Sequence, residues 1–245
     1  MSKITEAELA AMPPKAVRYE EEVKIYQDND FLAAYALHTE KRIRETSYKH
    51  AIGGGENWEE HGDVQKQFLI KQGLLPHHRF LDIGCGTGRL ARKLVPYLDA
   101  GNYVGLDISA GALDVARKLA NEEDWYNRSP QFILGDLPGD AGPFDFAWAF
   151  SVFIHLPLDI AGEVIRRVGL QLRTPASELL FSYVPNEVEY RSGLKQFKHT
   201  LGNVKGLVAG AGLTFEEVKD WVFNTIGERP DWAGHQKIAC ARRKI

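Results

Sequence analysis

Arg79-Phe80-Leu81-Asp82-Ile83-Gly84-Cys85-Gly86-Thr87-Gly88-Arg89-Leu90 is the stretch that decides the fold. Arg79 to Ile83 read as a short buried strand with an acidic residue, Asp82, near its end. Three glycines then alternate with Cys85 and Thr87. A helix is expected from Arg89, because Leu90, Leu94 and Leu98 recur one turn apart on a single face. A strand, a glycine-rich turn and a helix open a nucleotide-binding βαβ unit. Glycine reaches the positive φ angles of such a turn without steric cost, and its missing Cβ lets a ligand lie against the backbone. The helix start behind the turn presents free N–H groups. The spacing narrows the ligand. A dinucleotide fingerprint needs glycine at position 89, where Arg89 stands, and no Gly-Lys-Ser/Thr run of a P-loop exists here.

Downstream, apolar runs alternate with helical periodicity. Strands are expected at Tyr103 to Asp107, Gln131 to Gly135, Phe144 to Phe150, Glu178 to Val184, Thr214 to Val222 and Gln236 to Ala241. Helices are expected at Gly111 to Ala120 (capped by Ser109), Leu158 to Leu172, and Leu201 to Ala211 with Gly212 as its stop. This alternation implies an α/β fold, a seven-stranded and mostly parallel Rossmann-like sheet with helices on both faces. Upstream, Met1 to Pro14 reads as a loose arm. Val17 to Ala36 reads as one or two helices and Leu37 to Lys49 as a basic one, whose Lys41, Arg42, Arg44 and Lys49 form either a solvated helix face or a rim that attracts an anionic substrate. Gly53-Gly54-Gly55 is a candidate hinge, and Asp63 to Gly73 reads as a further helix.

Composition bounds the class. With 44% apolar and 26% charged residues the chain is an ordinary globular one. The net charge of −3 disfavours a general nucleic-acid or membrane-surface binder. Cys85 and Cys240 are far apart and one lies inside the turn, so neither a disulfide nor a zinc site is expected, and a cytoplasmic setting fits. No stretch approaches the roughly 20 apolar residues of a membrane span. Nothing in the composition sets an oligomeric state.

The pattern Asp-x-Gly-x-Gly-x-Gly at Asp82 to Gly88 resembles the opening of the class I S-adenosylmethionine-dependent methyltransferases, of the small-molecule type. That resemblance implies S-adenosyl-L-methionine as cofactor, S-adenosyl-L-homocysteine as product, and a helical lid over the site. It divides the chain into an N-terminal arm and lid at 1–62 and a methyltransferase core at 63–245, with a flap near 187–199. Gly84, Cys85, Gly86 and Gly88 would carry the cofactor on their backbone, with Asp82 holding the loop amides or the ammonium end. Asp107 ends the second strand 19 residues after Gly88, which in a βαβ unit places its carboxylate beside a ribose. The family also implies Asp136 on the adenine amino group, with Ile108 and Leu137 sandwiching the ring.

Ligands of an open α/β sheet lie outside the strands' carboxyl ends. Phe150-Ser151-Val152-Phe153-Ile154-His155-Leu156 stands there and resembles a segment of many small-molecule members. Phe150 and Ser151 would line the methionine part. His155 is either a general base or a histidine that hydrogen-bonds backbone. On the substrate side the candidates are Tyr183 and Asn186 at the end of strand five, with Tyr48, Trp58 and His61 by resemblance. Trp58 reads equally as a staple between lid and core. In the flap, Tyr190, Arg191, Lys195 and Lys198 could meet a negatively charged substrate.

The function implied is methyl transfer to a small-molecule acceptor, with oxygen slightly favoured. No metal is expected, since Ser151 to Pro157 holds no carboxylate. The alternatives are N-methylation of a small amine and a non-catalytic S-adenosylmethionine-binding protein. A nicotinamide-dependent oxidoreductase is opposed by Arg89.

Overall fold

The computed structural model describes residues 3–17, 19–53, 55–219, 221 and 236–244. Gly54 and the far end of the expected sixth strand, Val222, lie outside them. The sheet runs through β1 (Phe80–Ile83), β2 (Tyr103–Asp107), β3 (Gln131–Leu134), β4 (Phe146–Ala149) and β5 (Glu178–Tyr183). A three-stranded insertion follows: β6 (Pro185–Asn186), β7 (Tyr190–Gly193) and β8 (Gln196–Thr200). The sheet closes with β9 (Leu213–Val218) and β10 (Lys237–Arg243). The strand order is β3-β2-β1-β4-β5-β10-β9. β1 to β5 pair in parallel, and β10 runs antiparallel to both neighbours. The order reverses beside β1, where an open α/β sheet leaves a crevice for ligand.

Side chains alternate along a strand, and both sheet faces are covered, so the alternation sorts them into two cores. Leu81, Ile83, Val104, Leu106, Ala147 and Phe181 face one side. There they meet α8 (Leu158–Leu170) through Ile160, Ile165 and Val168, and α9 (Leu201–Gly210) through Val204 and Val208. Phe80, Tyr103, Phe146, Trp148 and Leu180 face the other side. They pack on Phe68 and Leu69 of α5 (Trp58–Lys71), Leu94 of α6 (Ala91–Leu94) and Leu119 of α7 (Ala110–Glu122). Ser109 caps α7 by accepting from Ala112 N–H, as its position predicts. Helix α5 begins at Trp58, ahead of the expected Asp63, and runs unbroken through Gly62 and Asp63. No described helix is long and apolar enough to cross a membrane.

The N-terminal segment is more ordered than the sequence reading expects. Met1 to Pro14 is not a loose arm over its described part. α1 (Glu6–Ala10) opens with a reciprocal capping box between Thr5 and Glu8. Ile4 and Met12 are buried, and Ile4 N–H donates to Tyr26 O at 3.2 Å. α2 (Glu20–Asp28) and α3 (Phe31–Glu45) follow, the second capped by Asp30. Short α4 (Tyr48–Ala51) lies against the glycine-rich turn.

The polar stretch expected as a flap folds as a hairpin, β7 against β8, with β6 paired to β8. It is fastened to the N-terminal helices. Arg191 lies over the rings of Tyr26, Phe31 and Phe197 at 5.9, 5.6 and 5.3 Å, donates to Gly193 O and Leu194 O, and pairs with Glu8 at 3.4 Å. Helices α1 to α3 and the hairpin therefore form one cap. Each cation–π contact of a desolvated guanidinium contributes about 0.5–2 kcal/mol. Arg191→Ala is accordingly expected to lower the unfolding free energy by about 1–3 kcal/mol and to speed proteolysis within 187–200, read by denaturant titration and timed digestion. Unchanged digestion would show that the hairpin holds without this anchor.

Candidate active site

The turn after β1 is held from two sides. Gly84 N–H and Cys85 N–H both donate to Leu106 O, at 2.7 and 3.1 Å, and Gly86 N–H donates to Asp107 Oδ2 at 2.8 Å. Gly84 and Gly86 have φ of +67° and +56°, which L side chains rarely adopt. Space forbids a side chain as well. A Cβ on Gly84 would stand 2.7 Å from Val152 Cγ2, and one on Gly86 would stand 3.0 Å from Ile52 Cδ1. Gly88 backs onto Ala116 of α7. Cys85 turns inward against Gly105, and burial pushes its thiol well above the usual range, so it is packing rather than a nucleophile.

The carboxylates divide the work differently from the sequence reading. Asp107, not Asp82, holds the loop amide. Its Oδ1 also accepts from Ser109 N–H at 2.9 Å. Burial raises its pKa, and the backbone donors of Ser109, Gly86 and Ile108 oppose that rise. These backbone donors still leave acceptor capacity on the carboxylate for a ligand hydroxyl. Asp82 is buried on the same sheet face as Asp107 and accepts from Tyr103 O–H at 2.7 Å. Asp136 is exposed and pairs with Arg167 of α8 at 3.1 Å.

A cavity of about 810 Å³ opens at the carboxyl ends of the strands. Asp82, Gly84, Cys85 and Gly86 line it from the turn, and Asp107 and Ile108 from the end of β2. Asp136 and Leu137 line it from the end of β3, and Phe150, Ser151 and His155 from beyond β4. Ser151 has φ +58°, a strained setting for a non-glycine residue. It is held there by Ser182 Oγ, which accepts from its N–H at 2.7 Å, and by Gln236 Nε2, which donates to its Oγ at 2.7 Å.

His155 is fixed by one bond, Nδ1 to Lys195 O at 2.7 Å. A carbonyl can only accept, so Nδ1 carries the proton and Nε2 keeps its lone pair. Burial and the nearby Lys195 charge hold the imidazole at about 4, neutral near pH 7, against the opposing pull of that hydrogen bond. The Tyr35 ring lies 5.9 Å from it.

The cap forms the cavity's other wall. Leu32, Tyr35, Thr39 and Arg42 line it from α3 and Lys195 from the hairpin turn. Of these α3 residues the sequence reading names only Arg42, in a basic stretch that could attract an anionic substrate; Leu32, Tyr35 and Thr39 are not singled out, although 32, 35, 39 and 42 share a helix face. The four residues read as substrate contacts stand outside this lining. Trp58 is fully buried and meets Tyr48 edge-on at 5.6 Å, so it staples α4 to the core. Tyr183 donates to Glu217 at 2.7 Å, and Asn186 donates to Val184 O. His61 is buried, 3.5 Å from Arg89 Nη1. Of the flap side chains, Lys195 alone lines the cavity. Among the described residues no three His, Cys, Asp or Glu side chains converge as metal ligands.

Residues 81–174 match the sequence model of a family described as "Methyltransferase domain". The chain is 33% identical over 103 residues to the magnesium-protoporphyrin O-methyltransferase of Synechocystis, covering 42% of this chain and 44% of that relative. It is 33% identical over 99 residues to the sterol 24-C-methyltransferase of Aspergillus fumigatus, covering 39% and 24%. The match thus spans less than half the length of these relatives. In solved structures, the fold is similar to the Synechocystis magnesium protoporphyrin IX methyltransferase with bound S-adenosylmethionine (TM-score 0.57, 19% identity, all of both chains). It is also similar to the PH0226 protein of Pyrococcus horikoshii (TM-score 0.61, 18% identity, 83% of this chain and 99% of that one).

Asp82 generates a pH prediction. Burial first, and the Asp107 charge in addition, lift its carboxyl from 3.8 to about 7, against the lowering pull of Tyr103 O–H and Arg89. A raised folded-state pKa means that the folded protein holds this proton more tightly than the unfolded chain does. Its contribution to stability is therefore full below about pH 4 and is lost as pH rises through about 7. Between pH 5 and 8 the unfolding free energy should fall by roughly 1–3 kcal/mol more in the native protein than in Asp82→Asn. Parallel pH profiles from urea unfolding would contradict the assignment.

Proposed function

We propose that this chain, a member of the class I S-adenosylmethionine-dependent methyltransferases through its domain at residues 81–174, methylates an oxygen of a small-molecule acceptor enclosed between core and cap. The residues present fit the cofactor. Gly84 and Gly86 let a ligand approach the main chain, Asp107 keeps acceptor capacity beside them, and Ile108 and Leu137 offer apolar faces. When bound, S-adenosylmethionine supplies a methyl group on a sulfonium, so transfer removes a positive charge.

The observation that carries the oxygen reading is the state of His155. Its Nδ1–H is spent on Lys195 O, its ring is neutral, and it stands on the cavity wall. An Nε2 lone pair there can take the proton of a hydroxyl acceptor as the carbon–oxygen bond forms. One relative is itself named as an O-methyltransferase, which agrees with this choice. The remaining work is positional. Ser151, held in its strained backbone by Ser182 and Gln236, and the loop at Gly84 fix one reactant. Tyr35 and Thr39 of the cap confine the other, and orientation of this kind can lower a barrier by several kcal/mol.

The test uses calorimetry with S-adenosylhomocysteine and turnover on a panel of phenolic and aliphatic alcohols, read as S-adenosylhomocysteine formed. His155→Gln should lower kcat by about 10²–10⁴-fold while leaving S-adenosylhomocysteine affinity within a few-fold. With His155 titrating near 4, kcat/KM should show no rise between pH 6 and 8 from this group. Full activity in His155→Gln would remove the base. Binding without turnover of any hydroxyl or amine acceptor would favour the non-catalytic reading.

Asp107→Asn replaces one oxygen by an NH₂ group against a backbone N–H and should weaken S-adenosylhomocysteine at least 100-fold, about 2.7 kcal/mol. Unchanged affinity in that variant would place the ribose elsewhere.

A further inference from the structure

Several cations among the described residues are held in ion pairs. Lys41 pairs with Glu21, Lys93 with Asp63, Arg167 with Asp136 and Arg242 with Glu178. Two cations on the cavity wall differ. Among the described residues neither Arg42 nor Lys195 has a carboxylate within ion-pair distance, and both line the cavity from the cap side. They are also close enough to repel. Desolvation and then the Arg42 charge bring the Lys195 ammonium down to about 8, and Glu22 opposes this weakly. The His38 ring beside them is pushed down to about 3 by burial and by the charges of Lys195, Arg42 and Lys41, so it adds no positive charge near neutral pH. Lys195 Nζ sits 5.4 Å over the Tyr35 ring, which orients it beside His155.

Half-buried cations without a partner are costly unless an anion meets them. Of the carboxylates lining the cavity, Asp136 pairs with Arg167, and Asp159 at the start of α8 lines it without an ion pair to either cation among the described residues. Asp82 and Asp107 belong to the turn side, and Glu163 on α8 is engaged by Arg166 and Arg167. Both cations line the same cavity as His155, where the acceptor's nucleophile would stand.

Resting on the methyl-transfer reading, we propose that Arg42 and Lys195 form a subsite for an anionic oxygen group of the acceptor, a carboxylate held by the guanidinium fork and the ammonium together. The acceptor is then a hydroxyl compound that also carries a carboxylate. Its anion is anchored on the cap and its hydroxyl is presented to His155 Nε2. Specificity lies in the cap because the anchoring groups come from α3 and the β7–β8 turn and not from the sheet.

Benzoate and its neutral isostere benzamide are the probes, titrated by calorimetry into the full chain with and without saturating S-adenosylhomocysteine. Benzoate should bind at least tenfold tighter than benzamide. Arg42→Gln and Lys195→Gln should each abolish that preference, Lys195→Arg should retain most of it, and S-adenosylhomocysteine affinity should stay within threefold throughout. Benzoate binding no tighter than benzamide in the native protein, or not at all, overturns the subsite whatever the variants do. Loss of S-adenosylhomocysteine affinity in the variants, with the benzoate preference kept, also overturns it, since the cations would then serve the cofactor. Failure of the native protein to bind S-adenosylhomocysteine sinks the methyl-transfer reading instead, and the titration without it still reports on the cation pair.

Discussion

The bond from Gly86 N–H to the Asp107 carboxylate ties the end of one strand to the turn after its neighbour. It does so while all three glycines of that turn sit at φ values that side chains avoid. A turn this tight cannot relax toward ordinary backbone without losing the bond. The carboxylate in turn cannot swing away without stripping Gly86 and Ser109 of their acceptor. An unsatisfied buried donor costs about 1–3 kcal/mol, so the loop and the acidic strand end stabilise each other before any ligand arrives. The consequence is a preorganised floor: bare backbone, a carboxylate with acceptor capacity, and apolar side chains at Ile108 and Leu137 placed around one space.

Over that floor lies a cap made from two distant parts of the chain. Helix α3 crosses the start of α7, where Glu40 approaches Gly111 N–H at 3.5 Å. The hairpin reaches α1 and α2 through Arg191, and reaches the core through His199, whose Nε2 meets Leu156 O at 2.9 Å. A carbonyl of the hairpin, Lys195 O, also orients the one histidine that the proposed chemistry uses. Cap and His155 are therefore linked by a side-chain-to-backbone hydrogen bond. Changes in the cap that alter substrate choice would also be felt at His155.

Much of this was legible in the chain, for physical reasons. The seven strands of the sheet were readable because buried parallel strands are short apolar runs. The Asp82 to Gly88 pattern was readable because only glycine tolerates that turn. Asp107 and the segment after β4 are placed at the cavity by topology, since strand ends in an α/β sheet gather at one edge; Ile108, Leu137, Phe150 and Ser151 were named through the family resemblance, and they line the same cavity. What escaped was formed by tertiary contact. The α1 capping box is local, and Thr5 with Glu8 could have signalled it. The hairpin is polar, and its strands lack the apolar alternation that marks a sheet edge from sequence. Trp58 was open between a staple and a substrate contact, Tyr183 was read as a substrate contact, and packing claimed both. Arg42 and Lys195 were each read as cations that could meet an anionic substrate, but that they line one cavity depends on helix and hairpin docking, which no local pattern encodes.

Amide-resolved NMR during titration with S-adenosylhomocysteine tests the central claim most directly. Large shifts should cluster at 82–88, 107–108, 135–137 and 150–151, with smaller ones on the cap at 35–42 and 195. Saturation with shifts confined to other surfaces, or silent Gly84 and Gly86 amides, would contradict a floor built from the turn and the Asp107 carboxylate.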